Sequence, residues 1–303
     1  MNGRTPAAVP TAGQLTMDTD TQRERARRFR DLHTDATDGP LLLANSWDAA
    51  STIIYEAAGM AAVGTSSAGI AAAHGVPDGE HLSRDEMLAA VERIANSVAI
   101  PVSADIEAGY GESPEAVADT VAATIDAGAV GVNLEDGTDD PDAPLVDVDH
   151  HTAKIRAARE AGDATDVPLV INGRTDVFWR SVGDETDRLD RAIERANAYA
   201  AAGSDCLFVP GVTDPDVIGA LVDGIDGPLN VLGGPGAPSV PELGDLGVAR
   251  VSVGSGPMRA TLGTLQDISQ ELQATGTYDG MTNAIPYGEL NERLAASLDR
   301  QRD

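Results

Sequence analysis

Eight times between residues 41 and 253, a short and largely apolar run gives way to a polar or glycine-containing loop, in most cases followed by an amphipathic helical pattern. The runs are Leu41–Ala44, Ala61–Gly64, Val102–Ala104, Val130–Leu134, Leu169–Ile171, Cys206–Val209, Leu229–Leu232 and Arg250–Val253. Apolar runs this short are what strands buried on both faces require, and strands that alternate with helices belong to a parallel sheet. Eight such units close into a (β/α)₈ TIM barrel, which commonly needs about 250 residues. The chain has 303.

The helices between the runs carry their own punctuation. Pro114–Ala127, Asp187–Ala202 and Asp214–Val222 are amphipathic, and several of the helices open with a Ser or Asp cap or an early proline. Gly128, Gly203 and Gly247 fall just past a helix, where a left-handed residue is wanted before the next strand. Four regions follow. Residues 1–19, rich in Thr, Ala, Pro and Gly, read as a disordered tail, and 20–39 as an N-terminal segment with an Arg-rich helix from Thr21 to Leu32. Residues 40–275 form the barrel. Residues 276–303 form a helical extension whose amphipathic stretch within Asn283–Leu298 has no place inside a closed barrel and should pack on a neighbour or on the barrel's outside.

The formal charge is −28, and Lys154 is the only lysine, so nearly all positive charge is arginine. Acidic residues are spread through every expected helix, which reads as a solvated acidic shell of halophilic type. Such a surface repels nucleic acid and anionic membranes. No run approaches the ~18 apolar residues of a membrane span, and the N-terminus has no apolar signal core. Cys206 is the single cysteine, which rules out an intrachain disulfide and a cysteine-based zinc site and suits a reducing cytoplasm. It falls at the start of the sixth run, away from the barrel mouth, and is expected to be buried and inert.

Chemistry in such a barrel gathers at the C-terminal ends of the strands. Asn45 and Asp48 follow the first strand, Thr65, Ser66 and Ser67 the second, Asp105 and Glu107 the third, Glu135 and Asp136 the fourth, and Arg174 and Asp176 the fifth. Carboxylates converging with an arginine make a site for a hard cation, Mg²⁺ or Mn²⁺, which takes a few oxygen ligands and keeps waters for substrate to replace. Asp105 is expected to bind the ion directly, Glu107 to point the same way, and Glu135 to hold a metal-bound water. Small residues and backbone N–H groups in the turn Thr65-Ser66-Ser67-Ala68-Gly69 suit a carboxylate or phosphate, and Arg174 can grip a carboxylate with two hydrogen bonds.

The runs Asn45-Ser-Trp-Asp48, Thr65-Ser-Ser-Ala-Gly69, Val76-Pro-Asp78, Ser103-Ala-Asp-Ile-Glu-Ala-Gly-Tyr-Gly111, Asn133-Leu-Glu-Asp136 and Arg174-Thr-Asp176 resemble the isocitrate lyase/phosphoenolpyruvate mutase superfamily, from about Pro40 to Arg259. The resemblance implies a Mg²⁺-dependent enzyme that breaks or forms a C–C or P–C bond in 2-oxo or 2-hydroxy carboxylates through a metal-stabilised enolate. By position it implies that Thr65, Ser66, Ser67, Ala68 and Asp48 line the substrate carboxylate, that Asp105, Glu107 and Glu135 serve the metal, and that Arg174 meets a substrate oxygen, with Asp78 lining the site. It also implies a homo-oligomer, typically a tetramer exchanging C-terminal helices.

Three departures bear on the reaction. Isocitrate and methylisocitrate lyases carry a Lys-Arg/Lys-Cys-Gly-His loop after the fourth strand, whereas Gly137–Asp149 has no cysteine, lysine or histidine before His150. The usual Asp-x-Asp pair is Asp105-x-Glu107, and Pro210 stands where a glutamate is expected after the sixth strand. A C–C lyase still needs a general base and acid, each worth about 10²- to 10⁴-fold. Tyr110, Asp136, His74 and His81 are candidates by neighbourhood. Decarboxylation or retro-Claisen hydrolysis of an oxaloacetate-like substrate demands least of the altered loop. Alternatives are a P–C phosphonomutase or hydrolase, a non-catalytic 2-oxo acid binder, and a sugar-phosphate isomerase or aldolase using Gly233-Gly-Pro-Gly236 and Gly254-Ser-Gly256. With no lysine near a strand end, a Schiff-base aldolase is excluded. The acidic, proline-containing stretch Gly137–Asp149 reads as a lid.

Overall fold

In the computed structural model, residues 17–34 and 39–300 are described. Most of the expected N-terminal tail, residues 1–16, lies outside the described residues. The strands are β1 (Leu41–Ser46), β2 (Val63–Thr65), β3 (Val102–Asp105), β4 (Gly131–Glu135), β5 (Val170–Arg174), β6 (Cys206–Phe208), β7 (Leu229–Leu232) and β8 (Arg250–Ser252). Each pairs in parallel with the next, and Leu41–Leu43 of β1 pairs with Arg250–Ser252 of β8 to close the barrel. All eight expected strands are present. The largest change of boundary is in β5, which runs on to Arg174 because Asn172, Gly173 and Arg174 pair in register with Asn133, Leu134 and Glu135.

The helices are α1 (Thr19–Asp31), α2 (Ala49–Ala57), α3 (Ser67–Ala73), α4 (Arg84–Ser97), α5 (Pro114–Asp126), α6 (Val148–Ala164), α7 (Glu185–Ala202), α8 (Pro215–Gly224), α9 (Val240–Asp245), α10 (Gly256–Ala274) and α11 (Tyr287–Arg300). Gly128, Gly203 and Gly247 take φ of +95°, +116° and +90°, the left-handed stop at the end of a helix.

Strand tilt staggers a barrel's neighbouring strands, so its interior fills in layers of four side chains from alternate strands. Registers place Asn45, Asp105, Arg174 and Leu232 at the mouth, and Gly64, Asn133, Phe208 and Ser252 beneath them. The next layer holds Leu43, Ser103, Asn172 and Asn230, and Gly131, Cys206 and Arg250 lie at the base. Barrel interiors are usually dominated by Val, Ile and Leu; this one is largely polar. Helix α1 seals the base: Gln22 Nε2 donates to Ile125 O at 2.7 Å and Ala129 O at 3.0 Å, and Phe29 is fully buried. A Cβ on Gly131 would stand 2.7 Å from the Phe29 ring, so only glycine admits the plug there.

The two C-terminal helices are placed differently. It is α10, the eighth unit's helix, that stands away from the barrel, with Met258 its one buried residue and Leu262, Leu265 and Leu272 exposed. The terminal α11 packs on the barrel's outside against α2 and α4, where Ser297 Oγ donates to Ser97 O at 2.6 Å.

Candidate active site

The mouth opens into a cavity of about 350 Å³. On one side lie Thr65, Ser66, Ser67, Ala68, Asp78, Asp105 and Arg174, and opposite them Gly233, Gly234 and Gly254 of the loops after β7 and β8, with Arg259 of the first turn of α10. A second cavity of about 720 Å³ adjoins it, shares Asp78, Arg174 and Trp179, and is lined by Glu107 and Glu135.

Asp105 ends β3 and is held from three directions. Its backbone N–H donates to Thr65 Oγ1 at 2.8 Å, Oδ2 accepts from Ser67 N at 3.1 Å, and Oδ1 accepts from Asn133 Nδ2 at 2.9 Å. The substrate-cradle turn is therefore already engaged: Ser66 N donates to Ser46 O and Gly69 N to Ser66 Oγ. Sequence alone suggested a row of free N–H groups there; three of them have partners.

Glu107 lies past the strand with φ of 51°, between Asp105 and a loop in which Gly109 (φ 102°) and Tyr110 (φ 54°) are also left-handed. Its Oε2 accepts from Gly79 N at 3.0 Å and Glu80 N at 2.7 Å, and Oε1 accepts from Tyr110 OH at 2.8 Å. Burial and the neighbouring Asp105 push Glu107 up to about 7, and the same two causes raise Asp78. Glu135 is 2.5 Å from Arg174 Nη1. Burial, with Asp176 and Asp105 nearby, raises it against the pull of that arginine. Burial is the main cause at all three, and neighbouring carboxylates add to it.

Arg174 is bound on two sides. Its Nε and Nη2 meet Asp176 at 2.6 and 3.1 Å while Nη1 meets Glu135, and these two carboxylates raise it despite the opposing effect of burial. It lies 5.7 Å from the Phe208 ring centroid.

Other expected residues fall elsewhere. Asp48, expected to line the substrate carboxylate, caps α2, accepting from Ser51 N at 2.7 Å, and does not line either cavity. Tyr110 reaches the site only through Glu107. Asp136 is fully buried among Arg195 Nε, Tyr199 OH and Asp176 N at 2.6–2.8 Å, which makes it structural. His74 and His81 turn Nδ1 to the carbonyls of Ile70 and Asp78. Cys206 is buried as expected, its thiol pushed up to about 12 mainly by burial. Among the described residues, no three His, Cys, Asp or Glu side chains form a ready metal cage. Of the three residues expected to serve a metal, Asp105 ends β3 at the mouth, Glu107 is engaged by the 79–80 backbone and Glu135 by Arg174.

The sequence reading placed no lysine near a strand end; the fold brings one there. From α6, Lys154 Nζ donates to Ala108 O at 3.1 Å and Gly111 O at 3.0 Å, bracing the left-handed loop that carries Glu107 and Tyr110. Trp179, 56% exposed at the rim of both cavities, and Arg250 were also missed. No motif marks either, since one lies on a loop and the other at the buried start of a strand.

A closed parallel barrel with buried carboxylates and one bound arginine at its mouth defines a (β/α)₈-barrel enzyme as the class. The family model described as phosphoenolpyruvate phosphomutase matches residues 29–273, and the chain belongs to that family. An uncharacterized protein of Mycobacterium tuberculosis is 36% identical over 267 residues, 88% of this chain and 95% of that one. An oxaloacetate decarboxylase of Rhodopseudomonas palustris is 34% identical over 249 residues, covering 76% and 81%. Among solved structures, a Burkholderia cenocepacia protein assigned as a lyase/mutase is 37% identical with a TM-score of 0.85, covering 91% of this chain and 97% of its own. Phosphonopyruvate hydrolase with oxalate and Mg²⁺ is 25% identical with a TM-score of 0.78, covering 92% and 96%. The protein is an enzyme of the lyase type these relatives represent. None of its described helices is long and apolar enough to cross a membrane.

Proposed function

We propose that this protein is a Mg²⁺- or Mn²⁺-dependent lyase that cleaves a C–C bond in a small 2-oxo or 2-hydroxy di- or tricarboxylate. The observation that carries this reading is the gathering of Asp78, Glu107 and Glu135 around Asp105, each raised first by burial and then by neighbouring carboxylates, with one arginine that two carboxylates already occupy. Such a donor set fits a hard divalent cation, which binds through one or two carboxylates and keeps several waters. Asp105 would hold the ion directly, and Asp78, Glu107 and Glu135 through its waters. Bound there, the ion supplies Lewis-acid stabilisation of the enolate charge that develops as the C–C bond breaks.

The chain's own groups do the rest. Ser66, Ser67 and Ala68 form the wall against which a substrate carboxylate rests. Arg174 is held rigid by Asp176 and turns toward the same cavity, so it orients the substrate's second oxygen-bearing group with little entropy left to lose. Decarboxylation leaves an enolate that can take its proton from water, and retro-Claisen cleavage adds water to the departing acyl carbon and returns a proton to the enolate carbon. Both can proceed without an acid from residues 137–149, which favours an oxaloacetate-like substrate. A P–C substrate is the second reading, favoured by Gly233, Gly234, Gly254 and Arg259 lining the same cavity opposite Arg174. A sugar-phosphate isomerase would leave the carboxylates without a role.

A screen of 2-oxo and 2-hydroxy acids and phosphonopyruvate with Mg²⁺, reading pyruvate, CO₂ and phosphate, tests this. Turnover should vanish in Asp105→Ala. Metal-dependent turnover that survives that substitution would overturn the metal assignment, and calorimetric binding of oxalate with no turnover on any substrate would establish a 2-oxo acid binder instead.

A further inference from the structure

Below Asp105, three buried polar atoms have no partner among the described residues: Asn172 Oδ1, Asn230 Oδ1 and Arg250 Nη1. Their residues are 1%, 0% and 3% exposed. Asn172 and Asn230 share one interior layer, and Arg250 enters from the layer beneath, paired in register with Asn230. Arg250 makes no ion pair among the described residues. Its Nε donates to Ser252 Oγ at 3.2 Å, and its guanidinium sits 5.9 Å from the Phe29 ring centroid.

The amides above it run in one direction. Asn133 Nδ2 donates to Asp105 Oδ1, and Asn172 Nδ2 donates to Asn133 Oδ1, both at 2.9 Å, which leaves Asn172 Oδ1 as an acceptor. On the other side Asn230 Nδ2 donates to Ser252 Oγ at 3.1 Å, which leaves Asn230 Oδ1 as an acceptor. Two acceptors and one donor therefore share a buried region. A water satisfies this set, accepting from Arg250 and donating to both amides, and buried waters typically make about three such bonds. An anion would face two carbonyl oxygens.

We infer that an internal water joins Arg250 Nη1 to Asn172 Oδ1 and Asn230 Oδ1, completing a hydrogen-bonded chain that makes Arg250 and Asn172 positioning residues for Asp105. A guanidinium can only donate and a carboxylate can only accept. A chain between them has one polarity, so neither Asn133 nor Asn172 can flip without setting oxygen against oxygen. Asp105 is thereby held in one rotamer, with Oδ2 on Ser67 N and Oδ1 on Asn133. The metal consequence rests on the proposed function; the water does not.

The test has two arms. A high-resolution crystal structure should show one water peak bonded to all three atoms; an anion there, or no peak, overturns the inference. Mn²⁺ affinity read by electron paramagnetic resonance should fall about 10-fold or more in Asn172→Leu and Arg250→Met, the scale at which partners of metal ligands act. Arg250→Lys, still a donor-only cation, should recover much of the loss. Leu43→Ala, in the same layer but off the chain, should lower Tm without moving the affinity. Wild-type affinity in Asn172→Leu, or an equal loss in Leu43→Ala, refutes the positioning role. Should the wild-type protein bind no Mn²⁺, the metal reading fails and the crystallographic arm alone decides the chain.

Discussion

Ser67 N–H donates to Asp105 Oδ2 at 3.1 Å, so the turn after β2 and the carboxylate ending β3 are one hydrogen-bonded unit. Thr65 Oγ1 strengthens it by accepting from Asp105 N–H at 2.8 Å. Removing that acceptor leaves a buried donor unpaired, a loss of about 1–3 kcal/mol. Thr65→Val should therefore destabilise by that amount in urea unfolding and weaken Mg²⁺ binding. Unchanged stability would show that the N–H finds another acceptor.

Acid should expose two buried histidines. Burial, helped by Arg250 for His33 and by Lys154 for His151, holds both rings down at about 3 against an ordinary value of 6.5. Between those values the unfolded chain binds protons that the folded one does not, so their contribution to stability is lost as pH falls below 6.5, by about 1.4 kcal/mol per pH unit for each ring. Glu107, raised to about 7, acts with the opposite sign between its unfolded value and 7, so His151 is best isolated by substitution. Relative to wild type, His151→Phe should gain about 3 kcal/mol between pH 6.5 and 4.5. Parallel pH profiles would refute a neutral buried His151.

Trp179 at the rim of both cavities should report ligand entry. Oxalate with Mg²⁺ should shift tryptophan emission in the wild type and leave Trp179→Phe unchanged. The segment beside it closes on itself through Thr138 N to Pro144 O and Thr138 Oγ1 to Ala143 O, so shortening the tip at 140–142 should lower turnover far more than Tm if it serves as a lid. Equal effects on both would make it a structural loop.

Helix α10 exposes Leu262, Leu265 and Leu272 at 50%, 57% and 40%. A second copy of the chain is the expected cover, giving a dimer or tetramer by light scattering. Leu265→Asp should shift the mass toward the monomer, and a wild-type monomer would disprove the assembly.

A net charge of −28 spread over the helices should make the fold salt-dependent. Molar KCl should raise Tm by screening self-repulsion. A flat melting curve would remove the halophilic reading.

The barrel was legible because eight strand-and-helix units of barrel length leave a regular apolar rhythm, and the strand-end residues Thr65, Asp105, Glu135 and Arg174 were legible because each follows such a run. Asp48 misled, since a carboxylate after a strand looks the same whether it faces a cavity or caps the next helix. The split between α10 and α11 was not readable either: both are amphipathic, and which one finds the barrel depends on where the chain exits β8.

The sequence by itself determined the strand order, the acidic mouth and the lone buried cysteine, because periodicity, charge and residue count are local properties. Only the tertiary structure decided that Glu107 is spent on the 79–80 backbone, that Lys154 of α6 braces the loop after β3, and that Arg250 underlies Asp105. Each of these relations joins residues many positions apart, and barrel closure alone sets their distance.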